Sequence, residues 1–368
     1  MWLGFSPQYE TGGYSGEYAL YLSAIKRANL QKTEGLIMYV DIYTHIFPSD
    51  FYKRMSEIAP KLGNIGKRMQ TVSEVHDLDA RFRAMDPFGD YCQIISLPNP
   101  PLEDITTPSQ GIELARIGND TMAEMVERNT DRFPGFVAAL AMNSMDETMD
   151  ELHRAVRDLG AVGVQIFTNV GGRSLDHPDY EPVFAAMAEY DLPIWMHPAR
   201  TSDMSDYAAE EKSRYEIWWA LGWPYETSVA MVRLVLWGLF DRYPKIKILT
   251  HHLGGMIPYF EERVGAGLAV LGARTSDEDY SNVLPSLKRP HGEYFKMFYG
   301  DTAMFGSSSA FPTGMDYFGP DHVVFSTDAP FAPVAETFES LKRLDLEADV
   351  QQKLYQGNAE KLMNRSFG

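Results

Sequence analysis

Cysteine is nearly absent from this chain. Cys92 is the single cysteine among 368 residues, which excludes an intrachain disulfide and a thiolate metal cluster. Basic residues are also few, with 33 lysines and arginines against 51 acidic residues and a formal net charge of −18. Because this surplus of negative charge repels nucleic-acid backbones and anionic membrane surfaces, we expect neither as a partner. An anionic substrate would need arginines placed close to it.

Long apolar runs are missing as well. The most apolar internal segment, residues 228–240, is too short to span a bilayer and contains Arg233. Residues 1–36 lack the basic and apolar segments of a signal peptide, so the expectation is a soluble cytoplasmic protein. These residues show little periodicity, and Met38 would make a natural start. The N-terminal extension 1–36 is therefore either a peripheral segment or the product of a misplaced start codon.

The rest of the chain has an ordinary globular composition, with 45% hydrophobic and 23% charged residues. No repeat or long linker divides residues 37–368, so we predict a single domain there. Short β-branched or aromatic runs alternate with stretches of helical periodicity. The runs predict strands at 36–42, 91–98, 133–142, 162–169, 192–198, 245–252, 295–301 and 322–328. Helices are predicted between most of them, for example at 112–128, 147–159, 180–190 and 227–242.

The predicted strands are apolar along nearly their whole length, which is typical of parallel sheets buried on both faces. Eight such strands alternating with helices predict an α/β fold, a (β/α)8 TIM barrel. An open doubly wound sheet is the alternative. No GxGxxG sequence follows any strand, which weakens the case for a dinucleotide-binding fold.

Polar residues collect at the carboxyl ends of the predicted strands, where barrels of this kind place their chemistry. They are Tyr43, His45, His197, His251, His252, Asp301 and Asp328. Imidazole and carboxylate groups suit Zn²⁺, Mn²⁺ or another borderline divalent ion. His45, His197 and Asp328 would supply three ligands and leave a position open for water or substrate. The alternative is that these side chains are satisfied polar groups of the core.

Two neighbouring histidines end the sixth predicted strand. Because side chains alternate along a regular strand, we expect His251 to point away from the site and to play a structural part. A histidine at neutral pH can exchange a proton, so His252 is a candidate for acid–base catalysis. Asp301 is a candidate for orienting a ligand by a hydrogen bond.

Several segments carry a resemblance to a known family: DIYTHIFP, RFRAMDPFGDYCQIIS, PIWMHPA, GWPYETSVAMVRLVLWGLFDRYPKIKILTHHLGGMIPYFEERV and VVFSTDAPF. They are similar to the amidohydrolase superfamily, and within it to the branch of aminocarboxymuconate-semialdehyde decarboxylase and γ-resorcylate decarboxylase. The similarity covers residues 37–366 and implies a TIM barrel of the metal-dependent hydrolase type. It places His45, His197 and Asp328 on metal-ligand positions and His252 on the position of the catalytic histidine. It also implies a homodimer.

The chain departs from this family at Tyr43. The family's first-strand motif has histidine there, and the aromatic-acid decarboxylases can have glutamate. A free phenol titrates at about pH 10, so tyrosine is a poorer ligand than imidazole unless the metal lowers its pKa. Three interpretations stay open. Tyr43 binds the metal as a phenolate, or it stands beside a metal held by three residues and water, or the site is empty or weakly filled.

Arginines and tryptophans are candidates for substrate binding. A guanidinium grips a carboxylate through two parallel hydrogen bonds, and Arg200 follows His197 closely. Arg263 resembles the family's substrate-carboxylate arginine, which a dimer partner contributes, and Arg68 lies near a loop arginine that the family uses. Trp219, with Trp218 and Trp223, either stacks on a flat substrate or packs in the core.

The expected function is non-oxidative decarboxylation of an unsaturated or aromatic carboxylic acid, with one divalent ion, Zn²⁺ or Mn²⁺, as cofactor. His252 would move a proton, and Asp328 would bind metal and share that transfer. A hydrolase of C–C, ester or lactone bonds, or a hydratase, in aromatic-compound metabolism is the alternative, because fold and motif do not separate these reactions. A metal-free binding protein that lost the first histidine is a second alternative.

Overall fold

This computed structural model describes residues 37–60 and 66–367 of the chain. The predicted extension 1–36 lies outside the described residues. The strands in this part of the chain are β1 Tyr39–His45, β2 Tyr91–Ser96, β3 Gly135–Phe136, β4 Ala138–Ala139, β5 Val164–Phe167, β6 Asn169–Val170, β7 Arg173–Ser174, β8 Pro193–His197, β9 Lys247–Thr250, β10 Tyr299–Asp301 and β11 Val323–Val324. The helices of eight residues or more are Ser49–Ile58, Leu78–Met85, Pro108–Arg128, Met145–Arg157, Glu181–Tyr190, Gly222–Leu236, Glu261–Leu268, Ala310–Phe318 and Val334–Lys342.

The strands close into a barrel. Apart from the antiparallel β6–β7 hairpin, they pair in parallel in the orders β1-β2-β3 and β11-β10-β9-β8-β5-β4. Only Val137 separates β3 from β4, and its N–H donates to the Ile95 carbonyl at 2.9 Å, so the two segments act as one strand. On the other side, the Ile42 N–H donates to the Phe325 carbonyl at 3.0 Å and joins β1 to the residue after β11. The described residues therefore form the predicted (β/α)8 barrel rather than an open sheet.

Apolar side chains form two layers, as burial on both faces of the strands requires. The barrel interior is filled mainly by Val40, Ile42, Val137, Trp195, Leu249 and Val324, each no more than 1% exposed. The larger layer lies between the strands and the surrounding helices. No helix within the described ranges is both long enough and apolar enough to cross a membrane.

Two of the strands that end earlier than predicted do so just before candidate site residues. β9 stops at Thr250 rather than at residue 252, and β11 stops at Val324 rather than at residue 328. In both places the chain then adopts left-handed backbone conformations, with φ of 55° at His252 and 64° at Asp328. Left-handed residues break the regular alternation of a strand. The side chains that follow these strands are therefore aimed differently from those of an extended chain.

Candidate active site

The strand-end residues converge at one rim of the barrel. The imidazole centroids of His45 and His197 lie 5.3 Å apart, and His45 Nε2 lies 3.2 Å from Asp328 Oδ1. The Tyr43 ring lies 5.3 Å from that of His45 and 5.8 Å from that of His197. Together with His252, these histidines and Asp328 line one cavity. The four groups predicted to form the site are thus brought together from four strand ends.

His45 is oriented by a serine on the neighbouring strand. Its Nδ1 lies 3.1 Å from Ser96 Oγ, and that hydroxyl donates its single hydrogen to the Thr44 carbonyl at 2.9 Å. The serine oxygen must therefore accept the hydrogen of His45 Nδ1. This fixes the tautomer of His45 and leaves its Nε2 as a free lone pair directed at the cluster.

His197 and His251 follow the same rule. His197 Nδ1 lies 2.8 Å from the Pro198 carbonyl oxygen and 3.0 Å from Asn99 Nδ2. Because a carbonyl oxygen can only accept, the shorter contact places a hydrogen on His197 Nδ1. His251 Nδ1 lies 2.5 Å from Asp301 Oδ2. Donation of Nδ1–H to a carbonyl or carboxylate is how proteins orient imidazoles that bind metal through Nε2. The prediction that Asp301 orients a neighbouring side chain through a hydrogen bond agrees with this geometry.

The expectation that His251 points away from the site is wrong. Its Nε2 lies 3.6 Å from Asp328 Oδ1, and one ring nitrogen from each of His45, His197 and His251 lies within 4.8 Å of the others. The cause is the end of β9 at Thr250 and the left-handed turn that follows, so two adjacent histidines both reach the cluster.

The turn depends on glycines. Gly254 and Gly255 have φ of 77° and 63°, a region that residues with a Cβ rarely adopt. A Cβ on Gly254 would lie 2.6 Å from the Phe318 ring, and one on Gly255 would lie 2.4 Å from the Pro224 carbonyl. The sequence His-His-Leu-Gly-Gly therefore encodes this sharp turn through its two glycines.

Several buried atoms in the cluster lack a partner among the described residues: Tyr43 Oη, His45 Nε2 and His252 Nδ1. The His45 lone pair faces a carboxylate oxygen at 3.2 Å, an arrangement that is repulsive unless a cation lies between them. Unpaired buried polar atoms are costly, and in native proteins they mark a bound water, ion or functional group. The donor set of imidazole nitrogens and a carboxylate fits a divalent ion.

Charges in the cluster are strongly coupled. Burial opposes ionisation of Asp328, but the adjacent His251 and His45 rings hold its pKa well below the usual range. Burial likewise opposes protonation of His251, but the carboxylates of Asp301 and Asp328 prevail and raise its pKa to about 10. Burial and then the charge of His251 lower the pKa of His252 to about 3. His252 is therefore a neutral ring at neutral pH.

The protein groups around Tyr43 favour its protonated phenol. Burial raises its pKa well above the ordinary value, and the nearby charges of Asp301 and Asp328 raise it further. Its ring lies 4.3 Å from the His251 ring, closer than to any other histidine of the cluster. Tyr43 thus packs on His251, and its protein surroundings oppose a negative charge on its hydroxyl.

A buried polar network supports the cluster from below. We call it the support network; it consists of Asp41, Arg81, Tyr91, Gln93 and Thr327. Asp41 Oδ2 accepts from the Tyr91 hydroxyl at 2.6 Å, and Oδ1 accepts from the Thr327 N–H at 3.0 Å. Gln93 donates to the Tyr91 hydroxyl at 2.8 Å and accepts from Arg81 Nε at 2.7 Å. The network thereby fixes the residue before Asp328.

The network also reaches the other end of the cluster. Arg81 Nη1 donates to the carbonyl of His45 at 2.5 Å, although its Nη2 has no partner among the described residues. Arg81 lies on the helix Leu78–Met85, which Asp77 caps by accepting from the N–H groups of Asp79 and Ala80. Two of the three predicted metal ligands are therefore held through one set of hydrogen bonds.

The cavity above the cluster has a volume of about 640 Å³. Trp218, Trp219 and Trp223 all line it, so the tryptophans after the fifth barrel strand face the cavity as well as pack against one another. Arg68 lines it as well, and its Nη2 donates to the Phe331 carbonyl at 2.9 Å. Of the predicted substrate-binding residues, the structure places Arg68 and Trp219 at the cavity.

Arg200 and Arg263 do not line the cavity within this chain. The Arg200 guanidinium is paired with Glu226 at 2.8 Å, and its backbone carbonyl accepts from Trp223 Nε1 at 3.3 Å. Arg200 therefore contacts a lining residue rather than the cavity itself. Arg263 is exposed on the helix Glu261–Leu268.

Some cavity residues gave no signal in the sequence. Lys67 and Glu216 line the cavity from loop or short helical segments, where no periodicity marks a functional position. Glu216 and Tyr215 have φ of 59° and 56°, and Glu216 Oε2 accepts from Trp219 Nε1 at 3.3 Å. Of these two residues, Lys67 could have been suggested from the sequence, because it is a second cation directly before the predicted Arg68.

Comparison with known proteins gives consistent matches. A family model described as "Amidohydrolase" matches residues 40–365. The chain is 32% identical over 301 residues to γ-resorcylate decarboxylase from Polaromonas sp. strain JS666, covering 77% of this chain and 86% of that protein. It is 25% identical over 340 residues to 2-amino-3-carboxymuconate-6-semialdehyde decarboxylase from Dictyostelium discoideum, covering 87% of this chain and 90% of that protein.

A solved structure extends the comparison to three dimensions. The 5-carboxyvanillate decarboxylase of Novosphingobium aromaticivorans, complexed with manganese and 4-hydroxy-3-methoxy-5-nitrobenzoic acid, superposes with a TM-score of 0.76 at 26% identity. The match covers 90% of this chain and 97% of that chain. The barrel, the histidine and aspartate cluster and these matches agree with one another, and the chain belongs to the amidohydrolase family.

Proposed function

We propose that this protein is a metal-dependent, non-oxidative decarboxylase of an aromatic or unsaturated carboxylic acid. The observation that carries the proposal is the convergence of oriented imidazole nitrogens and the Asp328 carboxylate at the floor of a cavity lined by tryptophans. The relatives and the solved neighbour named above are decarboxylases, which supports this reaction over hydrolysis.

His45, His197 and Asp328 would hold the divalent ion, Mn²⁺ or Zn²⁺. The bound ion supplies positive charge that stabilises negative charge developing on substrate oxygens. The chain itself orients both histidines through their Nδ1 hydrogens and restrains Asp328 through the support network. These restraints keep the donor atoms in place before the ion and the substrate arrive.

Substrate binding falls to the cavity walls. Trp219 and Trp223 offer flat apolar surfaces against which an unsaturated ring can stack, and they exclude water from it. Arg68 lies at the same cavity and is the described arginine that reaches it, so it is our candidate for gripping a substrate anion. Arg200 would act through the position of Trp223.

His252 would move the proton. Its Nδ1 is unpartnered among the described residues and His252 lines the cavity, so this ring would relay a proton to the substrate carbon. Protonation of that carbon is followed by cleavage of its bond to the carboxyl group, and the electron pair of the broken bond returns to the unsaturated system. One proton is consumed and one CO₂ leaves. Asp328, next to this path, would share the transfer.

Turnover of a small panel of acids tests the proposal. Hydroxybenzoates, muconate semialdehydes and lactones would be incubated with purified protein, with and without added Mn²⁺ or Zn²⁺. We expect CO₂ release from at least one acid, dependent on the metal and lost after chelation. Release of a new acid from a lactone without CO₂ would replace the proposal by a hydrolase. Saturable binding with no turnover would replace it by a metal-free binding protein.

A homodimer is part of the proposal. Leu221, Tyr225 and Val229 recur every four residues along the helix Gly222–Leu236 and its start, and they are 59%, 51% and 36% exposed. Tyr259, 79% exposed, lies four residues before Arg263. An exposed apolar stripe of this kind is more typical of an interface between two copies of a chain than of a helix face that contacts only solvent. Light scattering of the Tyr225→Asp variant should show a smaller species than wild type. The cytoplasmic location expected from the composition stays a prediction.

A further inference from the structure

We propose that His251 is a fourth metal ligand and that it replaces the first-strand ligand whose position Tyr43 occupies. The inference rests on the metal site of the proposed function and adds to it a donor that lies one residue before the acid–base candidate. Tyr43, by this assignment, supports the His251 ring and does not bind the ion through its hydroxyl.

The position of the His251 nitrogen is the first argument. Its Nε2 lies 3.6 Å from Asp328 Oδ1, comparable with the 3.2 Å between His45 Nε2 and the same oxygen. Two groups of donor atoms lie within 4.8 Å of one another, one of His45, His197 and His251 and one of His251, His252 and Asp328, and His251 is the residue common to both. Three imidazoles and one carboxylate make a donor set that Zn²⁺ and Mn²⁺ accept.

The orientation of His251 is the second argument. Asp301 is fully buried and accepts the Nδ1 hydrogen of His251 at 2.5 Å, while its other oxygen accepts from the Ala303 N–H at 3.1 Å. A buried carboxylate dedicated to one imidazole nitrogen is the usual arrangement behind a metal-binding histidine. It leaves Nε2 of His251 directed toward Asp328 Oδ1, 3.6 Å away.

The side from which His251 approaches is the third argument. His45, His197, His252 and Asp328 line the cavity, but His251 does not. It lies behind the cavity floor, where it can bind an ion without taking space from a substrate. His252, in contrast, faces the cavity with an unpartnered Nδ1. The two adjacent histidines therefore divide the work between holding the ion and moving the proton.

Tyr43 fits the same picture. Its ring packs on His251 with centroids 4.3 Å apart, and its hydroxyl bonds neither Asp301 nor Asp328. A tyrosine hydroxyl lies farther from its backbone than an imidazole nitrogen does, so it does not reproduce the ligand position of a histidine at the same residue. The bulk of the Tyr43 ring instead restricts His251 to one orientation.

Metal titration of metal-free protein tests the assignment without any measurement of turnover. Affinities for Mn²⁺ and Zn²⁺ would be measured by competition with a chelator for wild type, His251→Ala, His252→Ala and Tyr43→Phe. We expect His251→Ala to lose about 100-fold or more in affinity, because even loss of an outer partner costs about 10–100-fold. His252→Ala and Tyr43→Phe should stay within about threefold of wild type. Asp301→Asn should weaken binding by about 10-fold.

Circular dichroism of each metal-free variant separates loss of a ligand from loss of the fold, and Asp301→Asn keeps the test usable if His251→Ala does not fold. Unchanged affinity in His251→Ala, or in Asp301→Asn if only that variant folds, would overturn the inference. So would a loss in Tyr43→Phe as large as that in His251→Ala, since the phenol would then be a ligand. If wild type itself binds no metal, the metal site of the proposed function is wrong, which is a different result from failure in the variants alone.

Discussion

Two residues of the first strand, Asp41 and Tyr43, are both fully buried, yet they differ in whether their polar atoms have hydrogen-bond partners. Asp41 accepts hydrogen bonds from the Tyr91 hydroxyl and from the N–H and hydroxyl of Thr327. The Tyr43 hydroxyl has no partner among the described residues. Asp41 is thus fixed by partners within the chain, whereas the Tyr43 hydroxyl, beside the histidine cluster, is a buried polar group with no such partner.

The largest effect is expected from replacing His252, whose unpaired ring nitrogen would transfer the proton. His252→Asn should lower turnover by about 10²–10⁴-fold, the range for loss of a proton-transferring group, because asparagine cannot exchange a proton. The free energy of unfolding should change little, since the Nδ1 atom of His252 bonds nothing in the described part of the chain. Steady-state rates and chemical denaturation of the same preparation measure both quantities.

His153→Asn is the matched control for that variant. Its Nδ1 lies 2.7 Å from the Tyr190 hydroxyl, away from the cavity. Turnover by the control should equal that of wild type. Near-normal rates in His252→Asn would show that His252 does not transfer the proton. The contrast between unpaired functional groups and paired structural groups would then fail at this residue.

Substitutions in the support network should lower the free energy of unfolding. Tyr91→Phe removes a hydroxyl that donates to Asp41 and accepts from Gln93, and it leaves both partners buried. We expect the free energy of unfolding to fall by about 2–3 kcal/mol, in line with buried partners left unpaired. Urea denaturation monitored by circular dichroism measures it. A change below about 0.5 kcal/mol would show that the support network does not stabilise the fold.

A pH series sharpens the same point. Burial, only partly offset by the hydrogen bonds from Thr327 and Tyr91, raises the pKa of Asp41 from 3.8 to about 6. Because the folded state holds the proton more tightly than the unfolded state, stability from this group is lost as pH rises from about 4 and the loss is complete above about 6. The stability margin of wild type over Asp41→Asn should therefore shrink by on the order of 2 kcal/mol between pH 4 and pH 7. A margin that grows with pH would contradict this sign.

Tyr43→Phe should give the smallest effect. It removes a buried hydroxyl that bonds nothing in the described residues, so the free energy of unfolding should stay equal or rise by up to about 1 kcal/mol. The pair Tyr43→Phe and Tyr91→Phe makes the same chemical change in two fully buried rings. Equal losses of stability in the two variants would show that the paired hydroxyl of Tyr91 and the unpaired hydroxyl of Tyr43 contribute alike, which contradicts the comparison.

Much of this site follows from the sequence. His45, His197 and Asp328 could be located because each lies at the end of an apolar strand, and strand ends of a parallel barrel meet at one rim. The barrel itself was predictable because eight strands buried on both faces leave a clear signal. Their exact ends were less so, since β9 stops two residues before its predicted end.

The rest depends on backbone conformations that no periodicity shows. His251 was predicted to face away because alternation was extended through a left-handed turn that starts at His252. The sequence could not show that Arg200 does not line the cavity, because its partner Glu226 lies 26 positions away in the chain. The Tyr43 hydroxyl was equally ambiguous, since only its contacts show that it packs on His251.

The glycine-dependent turn after Thr250 has a consequence for how such barrels diversify. If His251 is a ligand as proposed, this turn lets the sixth barrel strand supply a donor in place of the first strand, without any insertion or shift of register. In this chain, the sequence feature that corresponds to the arrangement is a doubled histidine followed, one residue later, by a pair of glycines.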